Sequence, residues 1–194
     1  MLNKPLIRTI RDEIGFTIIE VIVVVAIIGI IASIGIPGFS RLMPNYRLRL
    51  ASQELLSSIQ LAKTTAIKQN TNCTLVFSVP SIDRYINIGG VNYEYAVFVD
   101  SDRDLEYDAG EQVIRSRRWA DYKNEVSFNT NSGTQGTDFI TNDNGLPAIS
   151  FRPNGMPIAN NGLPSGGTVY FKNTNNRTMQ VNLGTAGSVT ITTG

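Results

Sequence analysis

The sequence predicts an α+β protein, with one long N-terminal helix packed on a mostly antiparallel β-sheet head. Three observations predict it. Residues 16–36 are apolar and carry one charge, Glu20. Leu48, Ala51, Leu55, Ile59, Ala62 and Ala66 then recur at three- and four-residue steps, which is one face of a helix. From Cys73 onward, β-branched and aromatic segments alternate with turns rich in Gly and Asn. The chain of 194 residues therefore divides into a leader at 1–15, a membrane-spanning helix at 16–37, its amphipathic second half at 38–72 and a β-rich head at 73–194.

The leader places Lys4, Arg8 and Arg11 before Asp12, Glu13 and Gly15. A secretory signal would put a small-residue cleavage site after the apolar core. Here the core runs into Gly35, Pro37 and Gly38 without an A-x-A pattern, so ordinary removal is not expected. Residues 16–36 at helical rise cover about 30 Å, the thickness of a hydrocarbon core. Val21 to Val25 are weak helix formers in water, but a bilayer forces internal hydrogen bonding. Charge leaves the orientation open, because Arg41, Arg47 and Arg49 balance the basic residues of the leader. Taken alone, Glu20 reads as a carboxylate at headgroup level.

Pro37 and Pro44 remove helix hydrogen bonds, so a kink or locally melted turn is expected, without a full stop. The helix should end near Asn70-Thr71-Asn72. Extended segments are expected at 74–79, 84–88, 93–99, 113–120, 125–128, 148–152, 168–172, 179–183 and 188–192. The stretch from Asn129 to Pro147 is rich in Asn, Gly, Thr and Ser and reads as a long surface insertion.

Composition excludes several chemistries. There is no histidine, which removes imidazole metal sites and the usual catalytic triads. The one cysteine, Cys73, sits in a strand-like run and reads as a buried thiol. A net charge of +1 gives no general case for nucleic-acid binding. No nucleophile elbow, P-loop or zinc spacing appears, so the chain does not read as an enzyme. The loop from Asp100 to Glu111 offers Asp100, Asp102, Asp104, Asp108 and Glu111 at positions one, three, five, nine and twelve, a spacing that suits Ca2+. Leu105 stands where an EF-hand needs glycine, and strands flank the loop, which excludes that fold. The alternative is a solvated acidic hairpin, paired with Arg115, Arg117 and Arg118.

Gly15-Phe16-Thr17-Ile18-Ile19-Glu20, after a basic leader and before an unbroken apolar run, resembles the prepilin signature of type IV pilins and type II secretion pseudopilins. The resemblance implies a pilin-like fold and cleavage between Gly15 and Phe16 by a prepilin peptidase on the cytoplasmic side. It also implies N-methylation of Phe16 and an assembly role for Glu20. The acidic pair Asp12-Glu13 departs from the basic residue usual before that glycine.

"YRLRLASQELLSSIQLAKTTAIKQN" followed by "CTLVFS", then "VFVDSDRDLEYDAGEQVIR", "ISFRPNGMP" and the last two strands, resembles the pseudopilin H and minor pilin FimT subfamily. The likeness extends over most of the chain outside 129–147. It implies a minor subunit at or near the tip of a type II secretion pseudopilus or type IV pilus, single-pass in the bacterial inner membrane with a periplasmic head. Its partners would be other pilins or pseudopilins and an inner-membrane assembly platform. The alternative, DNA capture by a basic C-terminal tail, is disfavoured because no Lys or Arg follows Arg177.

Overall fold

Helix α1 runs from Ile18 to Gln69 and opens a computed structural model. The structure describes residues 15–133 and 135–194, with the side chains of 34–38 excepted. Lys4, Arg8, Arg11, Asp12 and Glu13 lie outside the described residues. The chain divides into two compact units, Met1–Ser40 and Arg41–Gly194.

The helix passes Pro37 and Pro44 without a stop, as expected, and without the melted turn offered as one outcome. Each proline deletes one donor, and the neighbouring turns keep theirs. The C-terminus falls where the Asn-Thr-Asn run places it. Asn70 takes φ +52, and the Thr71 N–H donates to the Ala66 carbonyl at 3.2 Å, which closes a Schellman turn.

In the second unit, Leu48, Ala51, Leu55, Ile59, Ala62 and Ala66 are all at most 2% exposed, so the predicted stripe is the buried face. It packs with Cys73, Leu75 and Phe77 of β1 (Asn72–Phe77), Tyr95 and Val97 of β4 (Tyr95–Asp100) and Ile149 and Phe151 of β7 (Ala148–Phe151). Burial of a Leu or Ile side chain contributes roughly 1.5–3 kcal/mol. The opposite face of these strands forms a second cluster of Val76, Ala96, Phe98 and Ala148 with Ile86 and Leu105. Period-two alternation therefore places side chains on two buried faces, and all three strands are buried throughout.

This first sheet has the order β5-β4-β1-β7-β8, with β5 at Val113–Arg117 and β8 at Pro157–Ile158. A second sheet has the order β11-β10-β9-β6, made of β6 (Val126–Phe128), β9 (Gly167–Asn173), β10 (Thr178–Leu183) and β11 (Val189–Thr193). A small hairpin joins β2 (Ile86–Ile88) to β3 (Val91–Tyr93) through Gly89 and Gly90, both at positive φ. Every strand pairing is antiparallel, as expected.

Two expectations need correction. The segment at 113–120 is a strand only to Arg117, after which Trp119–Tyr122 forms a 3₁₀ turn. The stretch from Asn129 to Pro147 is more than a surface insertion, because Phe139 enters the main core and is 5% exposed. Its ring stacks on Phe77 at 5.4 Å with planes 3° apart. Gly167 makes the room, since a Cβ there would lie 2.7 Å from the Phe139 ring.

Candidate functional site

Gly15, Phe16 and Thr17 precede the helix without regular structure, and all three are exposed. The Thr17 hydroxyl accepts the Glu20 N–H at 3.3 Å, and the Thr17 carbonyl accepts the Val21 N–H at 3.3 Å. Thr17 is thus the N-cap, and Glu20 stands in the first helical turn, where the helix dipole favours a carboxylate. The Thr-x-x-Glu spacing announces this cap, a signal that a reading of the segment as a membrane span passes over.

A Cβ built on Gly15 meets nothing within 4 Å. Among the described residues, packing leaves room for a side chain at Gly15. An exposed, irregular peptide ahead of a helix is also the local geometry that a peptidase needs.

Beyond the cap, every large apolar side chain from Phe16 to Ile31 is 48–82% exposed. Glu20 is the single charged residue on this stretch, and its carboxylate has no hydrogen-bond or ion-pair partner among the described residues. Phe16, Glu20, Val21, Val24 and Val25 line a shallow depression of about 280 Å³. The structure therefore brings Phe16 and Glu20 to one surface. Among the described residues, no helix is long and apolar enough to cross a membrane. The helical apolar stretch with described side chains runs from Ile18 to Ser33, shorter than the expected span of 16–37.

The acidic loop follows β4. Asp100, Asp102 and Asp104 each present a carboxylate oxygen, and these oxygens lie within 4.8 Å of one another. Asp108 and Glu111 do not join that group. Asp100 is buried, and its carboxylate accepts the Thr74 hydroxyl at 2.7 Å, the Arg103 N–H at 2.7 Å and the Leu105 N–H at 3.3 Å. Burial pushes its pKa up, against these hydrogen bonds, which favour the ion. Glu111 folds back to accept the Ser101 N–H at 2.9 Å and the Asp108 N–H at 3.1 Å. Leu105 holds φ +63, so the left-handed position is filled despite the missing glycine. Its side chain, 3% exposed in the second core cluster, holds it there.

The basic run does not pair with this loop. Arg115 donates to Ser57 and Ser58 of α1, each at 3.3 Å. Arg117 pairs with Glu54 of α1 at 3.0 Å, and Arg118 with Asp121 at 3.9 Å. Tyr122 also donates to Glu54, so one helix carboxylate ties down β5 and the 3₁₀ turn that follows it. Cys73 is fully buried, and burial pushes its thiol up to about 12, which removes it as a nucleophile at neutral pH.

Residues 51–187 match the family described as Type II transport protein GspH, and residues 10–36 match the prokaryotic N-terminal methylation motif. No curated protein and no solved structure matches the chain. The methylation motif covers the exposed cap segment and Glu20, while the family match runs from Ala51 of the helix stripe to Gly187, in the turn before β11. The family is structural and supplies minor pseudopilin or pilin subunits of type II secretion or type IV pilus systems. With the motif in place at one end and the packed head at the other, this chain belongs to the GspH family.

Proposed function

We propose that the protein works as a cleaved, methylated filament subunit whose assembly chemistry lies at Phe16 and Glu20. Prepilin peptidase would hydrolyse the Gly15–Phe16 bond. Water adds across the amide, the carboxylate leaves with Gly15, and the protonated amine stays on Phe16. Methylation of that nitrogen keeps its positive charge. The first half of α1 then serves as a single-pass inner-membrane anchor with the head in the periplasm. An inner-membrane platform loads the subunit among other pilins, at or near the tip.

The observation that carries this reading is the Glu20 carboxylate, without a partner among the described residues, on a largely apolar, exposed helix surface. Left alone in an apolar medium it costs several kcal/mol. The cationic amine of a neighbouring subunit's first residue offsets that cost and fixes axial register. The chain needs no catalytic residue for this work, and nucleic acid is not a required partner. Mass spectrometry of the membrane-extracted protein is expected to give a chain starting at methylated Phe16. A chain still starting at Met1 overturns the reading.

A second reading concerns Ca2+, favoured by the convergence of Asp100, Asp102 and Asp104. These residues suit a hard cation, with Asp108 and Glu111 ordering the rest of the loop. Calcium titrated into the full-length protein is expected to raise its melting temperature, and Asp102→Asn to abolish the rise. An unchanged melting temperature in excess calcium ends this reading.

A further inference from the structure

The described strand edges differ in how they are protected. Edge strand β5 carries Arg115 and Arg117 and lies beside a register shift between Val97 and Phe98. At the other edge of that sheet, β8 is two residues long and begins with Pro157. In the second sheet, edge strand β6 has three residues. The remaining edge of that sheet, β11, reads Val189-Thr190-Ile191-Thr192-Thr193, with no charge, proline or bulge. Natural proteins rarely leave such an edge open unless something pairs with it.

The hydrogen-bond phase shows which groups face outward. The Gly194 N–H donates to the Thr178 carbonyl, and the Gly184 N–H to the Ser188 carbonyl. In an antiparallel ladder these pairs alternate, so Thr190 and Thr192 bond to β10. Val189, Ile191 and Thr193 therefore point their N–H and C=O groups away from the sheet.

Beside this edge lies a groove of about 530 Å³, lined by Leu48, Arg49, Arg177, Met179, Ile191 and Thr193 among others. Its position is held by Asn173, whose amide donates to Asn45 at 2.8 Å, and by Asn175, which donates to the Arg41 carbonyl at 2.9 Å. No acidic side chain lines the groove. The Arg49 and Arg177 guanidinium groups have no hydrogen-bond or ion-pair partner among the described residues, whereas Arg47 pairs with Glu125.

From the free ladder and the two exposed guanidinium groups that lack a described partner, we infer that β11 is an addition site for an extended segment of a neighbouring filament subunit, a segment that carries a carboxylate. The incoming backbone pairs with Ile191 and Thr193, apolar side chains settle against Leu48 and Met179, and the carboxylate meets Arg49 and Arg177. The inference rests on the filament reading and names a contact within it.

Hydrogen exchange of the full-length chain tests it, first in detergent alone and then in intact filaments. The Ile191 and Thr193 amides are expected to slow at least 100-fold on incorporation. An Arg49→Glu, Arg177→Glu double variant is expected to incorporate at least tenfold less, with its melting temperature unchanged. A chain that enters filaments with these amides unprotected overturns this inference alone. A chain that never enters a filament overturns the filament reading, and this inference with it. Protection that appears in the isolated chain as it self-associates assigns the edge to a second copy and overturns the partner assignment. Normal incorporation of the double variant overturns the carboxylate.

Discussion

The two halves of α1 use apolar residues in opposite ways. Between Leu48 and Ala66 the stripe of Leu48, Ala51, Leu55, Ile59, Ala62 and Ala66 is buried in the head core, with Leu50, Leu56 and Leu61 half-buried beside it. From Phe16 to Ile31 apolar residues surround the helix, and every large one is exposed. The first pattern is satisfied within the chain. The second is not covered by any described residue, and in the proposed reading lipid or other subunits cover it. The difference separates folding from assembly, and substitutions in the two halves should separate them too.

The largest contrast is expected between Phe77→Ala and Ile22→Ala. Phe77 is fully buried and stacks on Phe139, so its truncation should destabilise the head by about 3–5 kcal/mol in denaturant titration. Ile22 is 58% exposed, and its truncation should leave head stability within about 0.5 kcal/mol. Comparable losses from both would erase the distinction.

A smaller effect should come from Asp100, which lies wholly on the folding side of the comparison. Its pKa is raised above the ordinary 3.8 by burial, so the folded state holds the proton more tightly than the unfolded chain. The contribution is full below 3.8 and is lost as pH rises through the folded value. Wild-type stability relative to Asp100→Asn should therefore fall over that window, as read by melting at several pH values. A difference independent of pH, or one rising with it, would contradict the placement of this carboxylate.

The sequence made most of this legible where the signal is local. The helix stripe, the Asn-rich stop at Asn70 and the antiparallel head follow from spacing and residue type alone, whereas the reading of Gly15, Phe16 and Glu20 comes from their resemblance to the prepilin signature. What escaped depends on tertiary contacts. Phe139 sits in a polar stretch with no periodicity, and only the Phe77 ring and the gap at Gly167 reveal its place. Strand β8 is two residues long, too short for any alternation to show. Leu105 at positive φ runs against local preference and is held by core burial. The open edge at β11 becomes visible once strand order is known, since order decides which strand lacks a neighbour.

The central claim is that Glu20 acts between subunits. Glu20→Gln keeps the side-chain size and removes the charge, so membrane extraction and head stability should match wild type. The measurement is the fraction of each chain recovered in sheared filaments from cells that express both at equal levels. The account predicts at least a tenfold deficit for the variant. Equal recovery would contradict it.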